Sequence, residues 1–247
     1  MKISVLTSFY NGDLMIPFFL NHYSYADEII VAFNDGNKDM DDSTALALSR
    51  YPNVLLRPFR YPVDKIDYAF AIEHCNQIVS KLDSDWAIVV SADELIFPIG
   101  MQDVRTVLRN ADEVIINTWL WWVYRNRTDR DLDPTLPAIW QRRHGCPDRS
   151  FCGCVKPAIV RPAAGIAFSI GGHNCSARTG GMSNIRFDGA HWLNADLDIA
   201  IQRRMRGRRE RVSKRSLDDG MGSQHFDITE EAIRAECNKM LDSPQLF

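Results

Sequence analysis

Short apolar runs alternate with longer amphipathic stretches over the first hundred residues of the chain. The apolar runs predict strands at residues 2–8, 28–33, 54–57 and 86–90. Between them, apolar residues at helical spacing predict helices at residues 13–25, 43–51 and 68–82. Strands that alternate with helices are joined by right-handed crossovers, so the pattern predicts an α/β fold with a mostly parallel sheet flanked by helices.

The pattern changes in the second part of the chain. A strand is predicted at residues 114–124, and a loop-rich stretch with short strands such as residues 158–161 follows it. Two helices are predicted after that, at residues 196–213 with Asn194 as the N-cap and at residues 230–241 with Thr229 as the N-cap.

Length and composition indicate one large domain. The chain has 247 residues, of which 45% are hydrophobic and 25% are charged, which excludes disordered, collagenous and low-complexity proteins. We see no internal repeat and no flexible linker. We therefore expect one domain over residues 1–247, with a first half at residues 1–100 and a loop-rich second half at residues 101–247.

The chain is expected to be cytoplasmic. The apolar run at residues 3–6 is too short for a signal peptide, and no run approaches the roughly 20 apolar residues of a membrane helix. Without export, the six cysteines are expected to be free thiols.

Positive charge is concentrated near the C-terminus. Residues 203–215 carry seven Arg and one Lys against one Glu, a net charge of +7 within a total of -3. Such a segment is suited to an anion, but it is also compatible with a solvated helix face. A third interpretation is a patch for a phosphorylated or membrane-bound acceptor, with peripheral contact at the inner face of the membrane through Arg203 and the basic residues up to Arg215.

Polar loops follow three of the predicted strands. Because the carboxyl ends of parallel strands lie at one edge of the sheet, these loops should converge and form a ligand site. They are residues 7–11, 34–38 and 91–94.

The order of these loops resembles a known family of enzymes. Ser8-Phe9-Tyr10-Asn11, Asn34-Asp35-Gly36 and Ser91-Ala92-Asp93-Glu94 occur in the order and spacing of the family 2 glycosyltransferases that use nucleotide sugars and have the type A fold. A later segment, residues 220–225, is similar to the Gly-and-His segment of these enzymes. The resemblance implies an inverting transfer of sugar from a nucleotide-sugar donor to a saccharide or lipid-linked acceptor in surface polysaccharide or glycan synthesis. It also implies that the first half binds the donor and the second half the acceptor.

The resemblance assigns roles to individual residues. It implies donor binding by the polar residues of the strand ends, which are Thr7, Tyr10, Asn11, Asp35 and Ser91. It implies that Asp93 binds Mn²⁺ or Mg²⁺ and, with Glu94, serves catalysis. The sequence departs from the family's Asp-x-Asp motif, because Ser91 stands at the first acidic position. We expect metal assistance, with His225 either as a further ligand or as a surface-loop histidine. If the metal site is weakened at Ser91, arginines of residues 203–215 are candidates to share the neutralisation of the diphosphate.

An inverting enzyme also needs a general base for the acceptor hydroxyl. His191 is one candidate, and Asp188 and Asp148 are the others; the sequence leaves the choice open.

Two further clusters have alternative interpretations. The first could form a structural zinc site, but its spacings favour reduced thiols; it consists of His144, Cys146, Cys152, Cys154, His173 and Cys175. The second could stack on an acceptor sugar and consists of Trp119, Trp121, Trp122 and Trp140. Since Trp119 and Trp121 share one face of a strand, part of this cluster is expected in the core.

Two other functions compete with glycosyl transfer. A sugar nucleotidyltransferase has a similar sheet, but it would carry a basic, Gly-rich loop after the first strand, where this chain has none. A phosphate-binding or nucleic-acid-binding module would use residues 203–215, but the rest of the chain is acidic, so we expect no nucleic-acid partner.

Overall fold

Strands and helices alternate along the first half of the chain, as predicted. The computed structural model describes residues 1–9, 14–34, 42–62, 65–146, 153–169, 172–205, 212–220 and 228–247. Its strands are β1 (Ile3–Phe9), β2 (Glu28–Asn34), β3 (Val54–Phe59), β4 (Trp86–Ser91), β5 (Glu94–Pro98), β6 (Ile115–Tyr124), β7 (His144–Gly145), β8 (Gly153–Val160), β9 (Ala167–Phe168), β10 (Cys175–Ser176) and β11 (Met182–Asn194). Its helices are α1 (Ile16–His22), α2 (Asp42–Leu48), α3 (Tyr68–Val79), α4 (Val104–Arg109), α5 (Ala138–Gln141), α6 (Leu197–Met205), α7 (Lys214–Asp218) and α8 (Glu230–Lys239).

One mixed, mostly parallel sheet organises the fold, and the α/β class is confirmed. Its strand order is β3-β2-β1-β4-β8-β6-β11-β5, with β7 paired to β6. The strands β3, β2, β1 and β4 are parallel to one another, and β11 is parallel to β6. Strand β8 runs antiparallel to β4 and β6, and β5 runs antiparallel to β11. One edge of the sheet, named the upper edge here, therefore contains the carboxyl ends of β1, β4 and β11 and the amino ends of β5 and β8.

The sheet must curl, because β4 and β5 are joined by only two residues. In the strand order, β8, β6 and β11 stand between β4 and β5. Four spacings of about 4.8 Å would put β5 roughly 19 Å from β4 in a flat sheet. The step from Ser91 to Glu94 spans at most about 11 Å, so the sheet bends until the two strand ends meet. This curl brings β5 and β11 over the end of β4.

Both faces of the parallel strands are buried. Ile3 and Val5 of β1 pack into one apolar cluster, while Leu6 packs into the other. Strand β4 alternates in the same way, with Trp86 and Ile88 on the first face and Ala87 on the second. A parallel sheet covered on both faces explains why these strands are nearly continuous apolar runs in the sequence.

Local signals explain several helix ends. Proline lies in the first turn of α1, where its missing N–H costs no hydrogen bond. The Asp67 carboxylate caps α3 by accepting from the Phe70 N–H, and Thr229 caps α8 as predicted by accepting from the Ala232 N–H. Within the described residues, no helix has both the length and the apolar character needed to cross a membrane.

The second half differs from the sequence prediction in three elements. The helix predicted at residues 196–213 is wrong at its last two residues, because Val212 forms a parallel bridge with Ile66 and Ser213 is the extended N-cap of a new helix, α7. Asn194 is the last residue of β11 rather than a helix cap. The strands β8 and β11 are much longer than the short pieces predicted for the loop-rich stretch.

Candidate active site

The upper edge contains the polar ends of β1 and β4 side by side. In the parallel register, Ser8 lies opposite Ser91 and Thr7 lies opposite Val90. Thr7 is only 2% exposed, whereas Ser8 is exposed. The strand order β3-β2-β1-β4 makes the gap between β1 and β4 the point where the order reverses, which is where α/β sheets bind ligands.

Asp93 lies in the turn between β4 and β5 and is buried at 2% exposure. Arg203 of α6 donates from Nη2 to Asp93 Oδ2 at 3.0 Å. His191 Nε2 lies 3.5 Å from the same carboxylate oxygen. The antiparallel register places His191 opposite Glu94, and the Trp192 N–H extends this pairing by donating to the Asp93 carbonyl at 2.7 Å. Strand pairing therefore brings an imidazole to a carboxylate that is distant in sequence.

Electrostatics favour the charged forms of Asp93 and His191. Burial by itself would raise the pKa of Asp93, but Arg203 and His191 outweigh it and hold the pKa well below its usual range. Burial would lower the pKa of His191, but the Asp93 carboxylate, with a further contribution from Glu94, raises it above its usual 6.5. Asp93 thus remains ionised, and its charge increases the basicity of the imidazole.

Glu94 is held by a second buried ion pair. Lys156 of β8 donates from Nζ to Glu94 Oε2 at 2.6 Å, and the Ser91 N–H donates to the same oxygen at 2.7 Å. The Tyr23 hydroxyl donates to the Glu94 carbonyl at 2.8 Å and fixes the backbone. Both charged residues are less than a tenth exposed, and buried ions of this kind persist only when paired and hydrogen-bonded.

Lys156 is a site residue that was not predicted from the sequence. The only signal for it was a single lysine inside an apolar run, between Val155 and the residues from Pro157 to Val160. A charged residue in such a run is exposed unless a partner is buried with it, and sequence alone does not reveal the partner.

The basic residues at positions 203–215 differ in their burial and in their partners. Arg203 contacts Asp93. Its neighbour Arg204 donates from both Nη atoms to Glu236 Oε2 of α8, at 3.0 and 2.9 Å, and from Nη1 to the Asn194 side-chain oxygen at 2.9 Å. Both arginine side chains are largely buried, so the interpretation as a solvated helix face is wrong for these two. Lys214 and Arg215 are exposed, and residues 206–211 lie outside the described part of the chain.

Several predicted residues lie outside the described ranges, so the structure does not place them. These are Tyr10, Asn11, Asp35, Asp148 and His225. Their roles remain predictions. Of the candidate bases that are described, Asp188 accepts a hydrogen bond from Trp121 Nε1 at 3.1 Å, and His191 contacts Asp93.

The described residues do not fit a divalent cation at Asp93. Hard cations need several oxygen ligands, but Asp93 Oδ2 and Glu94 Oε2 already contact Arg203 and Lys156. Asp93 Oδ1 is buried without a hydrogen-bond partner among the described groups. The described residues contain no group of three or more His, Cys, Asp or Glu that could hold a metal. The expected Mn²⁺ or Mg²⁺ remains a prediction of the resemblance.

The Cys and His cluster does not assemble within the described ranges, which omit Cys152. His144 lies 3.6 Å from Asp129, and burial raises the pKa of Cys175 to about 11. Free thiols are found at Cys75, Cys146, Cys154, Cys175 and Cys237.

The tryptophan cluster divides between core and surface, as expected from its alternation along β6. Trp119 and Trp121 are each 8% exposed and pack edge to face with ring centroids 5.8 Å apart. Trp122 and Trp140 are 36% and 50% exposed. Only the latter two have the accessible rings that sugar stacking would need.

Comparison with known proteins adds similarity of fold only. No family model matches the chain, and no curated protein matches it. Among solved structures, the chain is similar to residues 1–349 of S. aureus TarS in complex with UDP, with a TM-score of 0.43 and 14% identity over 89% of this chain and 78% of that chain.

Two nucleotide-related structures are also similar. One is 4-diphosphocytidyl-2C-methyl-D-erythritol synthase, with a TM-score of 0.38 and 12% identity over 66% of this chain and 77% of that chain. The other is CMP:2-keto-3-deoxy-manno-octonic acid synthetase complexed with CTP, with a TM-score of 0.31 and 12% identity over 50% and 53%. At TM-scores below 0.5, activity has to be judged from this chain's own residues.

Proposed function

We propose that the chain is a glycosyltransferase that moves a sugar from a nucleoside-diphosphate sugar to a saccharide or lipid-linked acceptor, with inversion at the anomeric carbon. The observation that carries this proposal is the pair of Asp93 and His191 at the upper edge, 3.5 Å apart and beside Arg203. A basic imidazole oriented by a carboxylate is the arrangement that activates a hydroxyl nucleophile. A surface-polysaccharide or glycan pathway is the setting implied by the sequence resemblance.

His191 acts as the general base in this proposal, and Asp93 positions it. As the acceptor oxygen bonds to the anomeric carbon, its proton passes to the imidazole. The bond from that carbon to the diphosphate oxygen breaks, and its electron pair remains on the diphosphate. Positive side chains near the leaving group stabilise the charge that develops there. His191 is preferred over Asp188 because the Asp188 carboxylate is engaged by the Trp121 indole N–H.

The donor would lie across the ends of β1 and β4. Ser8 and Ser91 are neighbours there, and the loops expected to hold the nucleoside, with Tyr10, Asn11 and Asp35, continue from β1 and β2. The acceptor would approach from the side of β11, which carries His191. This division agrees with a donor-binding first half and an acceptor-binding second half.

The proposal is tested by two measurements on the full chain. Thermal unfolding with UDP, GDP, CDP and CMP, each with and without Mn²⁺, should identify the nucleotide, because a ligand of the native state raises its stability. The matching nucleotide sugars are then incubated with saccharide and lipid-linked acceptors, and the released nucleoside diphosphate is measured. We expect His191→Gln to lower turnover by about 10²- to 10⁴-fold, the usual contribution of a general base. Asp188→Asn is the matched comparison.

A sugar nucleotidyltransferase is the alternative, and it is tested by incubating the chain with nucleoside triphosphates and sugar phosphates and measuring pyrophosphate. Such an enzyme would form a nucleotide sugar from a nucleoside triphosphate and a sugar phosphate, with release of pyrophosphate. Pyrophosphate release without any transfer from nucleotide sugars would overturn the proposal. The pair of His191 and Asp93 favours glycosyl transfer, since the attacking phosphate of a nucleotidyltransferase is already ionised and needs no base.

A further inference from the structure

We propose that Arg203 and Lys156 supply the fixed positive charge at the phosphate site, in place of a divalent cation. This inference rests on the proposed function and specifies how the leaving diphosphate is held. Metal assistance is the competing expectation, and the two mechanisms predict opposite results for the variant Asp93→Asn.

The first support is the position of the two cations. Arg203 Nη2 is 3.0 Å from Asp93, and Lys156 Nζ is 2.6 Å from Glu94, so each acidic residue of the turn has a cation of the chain beside it. A divalent ion at Asp93 would have to displace the guanidinium or lie close to it. Two like charges in a poorly solvated site repel strongly, so the native pairs oppose metal entry.

The second support is the replacement of an acidic residue by Ser91. Its backbone N–H donates to Glu94 Oε2 at 2.7 Å, which directs that carboxylate toward Lys156 rather than toward a ligand. The described site therefore contains two buried carboxylates, each paired with one buried cation, so the pairs carry no net negative charge that would attract a divalent cation.

The third support is the chemistry of the guanidinium. Arginine has five N–H donors in a planar fork, so it can hold a carboxylate and a phosphate at the same time. Asp93 then serves to hold Arg203 and His191 in position.

Inorganic pyrophosphate and the nucleoside diphosphates UDP, GDP and CDP are the probes, titrated calorimetrically in EDTA and in Mn²⁺. We expect wild-type protein to bind pyrophosphate and one of the nucleotides in EDTA. Adding Mn²⁺ should change the dissociation constants by less than about threefold. Arg203→Gln should weaken binding in EDTA by about tenfold or more, as expected for a lost charge-assisted hydrogen bond. Arg204→Gln is the matched control on the same helix, and its pyrophosphate affinity should be unchanged.

Asp93→Asn separates the two mechanisms. If Arg203 holds the phosphate, the amide oxygen of this variant still accepts from Arg203 while the repelling negative charge is gone, so pyrophosphate binding in EDTA stays unchanged or becomes tighter. If Asp93 is a metal ligand, the same variant loses the Mn²⁺-dependent binding. Binding that requires Mn²⁺ in the wild type, or equal losses in Arg203→Gln and Arg204→Gln, would overturn this inference and leave the glycosyltransferase proposal standing. A wild-type chain that binds none of the nucleotides in either buffer contradicts both.

Discussion

Arg203 and Asp93 are hydrogen-bonded at 3.0 Å although 110 positions separate them in the sequence. The carboxylate sits in the turn after β4, and the guanidinium extends from α6, which follows β11. The contact exists because the curled sheet places the start of β5 beside the end of β11, and α6 begins there. The candidate active site is therefore assembled from both halves of the chain.

The pH dependence of activity should report the contact between His191 and Asp93. A general base works in its neutral form, so kcat/KM should rise with pH until the pH exceeds the raised pKa of His191. In Asp93→Asn the carboxylate is lost, while burial and the Lys156 charge still lower the pKa of His191. The acidic limb of the profile should therefore move to lower pH.

The measurement is kcat/KM across pH 5 to 9 for wild type and Asp93→Asn, with Asp188→Asn as the control. Loss of activity in Asp188→Asn, together with an acidic limb that does not move in Asp93→Asn, would assign the base to Asp188.

His22 should make the fold sensitive to acid. Burial lowers the pKa of His22 to about 4, while its Nε2 lies 2.8 Å from the Ile96 carbonyl. In the unfolded chain the pKa is near 6.5, so below that pH the unfolded state binds a proton that the folded state does not. Stability should fall by up to about 3 kcal/mol as the pH drops from 7 to 4.

Urea unfolding as a function of pH checks this expectation. His22→Gln should reduce the loss between pH 6.5 and 4, whereas His173→Gln, which changes an exposed residue, should keep it. An identical pH dependence in wild type and His22→Gln would refute the assignment.

Gly189 should be required where β11 crosses the core. A Cβ atom at this position would lie 2.5 Å from Leu120 Cδ2 and 3.4 Å from the Leu95 carbonyl oxygen. Gly189→Ala should destabilise the fold by about 1–3 kcal/mol, because a packed core tolerates added volume poorly.

The control is Gly181→Ala, since a Cβ there has no atom within 4 Å. Its unfolding free energy should stay within about 0.5 kcal/mol of wild type. Equal effects of the two substitutions would show that β11 accommodates the extra methyl group.

Arg142 should anchor the start of α6. It is fully buried, and its guanidinium donates to the carbonyls of Ala195 and Arg130 at 2.7 and 3.1 Å and to the Asp196 carboxylate at 3.3 Å. Arg142→Met leaves these acceptors without their donor and should cost about 3–5 kcal/mol of unfolding free energy.

Arg127→Met is the matched control, because Arg127 forms an exposed ion pair with Asp242 at 2.8 Å. Exposed pairs contribute about 0–1 kcal/mol, so this variant should unfold almost as the wild type does. Similar urea midpoints for the two variants would contradict the anchoring role.

The first half of the fold was predictable because its signals are local. The apolar runs of β1, β2 and β4 are buried on both faces, so each is recognisable without knowledge of its neighbours. The parallel arrangement followed from the alternation with helices. The same reasoning identified Asp93 and Ser91 as strand-end residues, and register shows that Ser8 and Ser91 lie side by side.

The second half was less predictable because its strands depend on distant partners. Strands β8 and β11 contain Pro, Gly, Arg and Asp, which local propensity assigns to loops, yet both pair with β6 as strands, with shifts of register. The helix predicted through residue 213 shows the opposite error. Its helical spacing was correct up to Met205, but Val212 is held by Ile66 in an isolated strand bridge.

By itself, the sequence determined the α/β class and the position of the acidic turn with Asp93 and Glu94, and it indicated the upper edge as the candidate site, since each depends on neighbours along the chain. Tertiary structure alone decided the partners of that turn. Lys156, His191 and Arg203 reach it from β8, β11 and α6, through an antiparallel register and a curl that no local pattern encodes. A buried charge is stable only with its partner, so the chemistry of the turn became visible only when the strands were assembled.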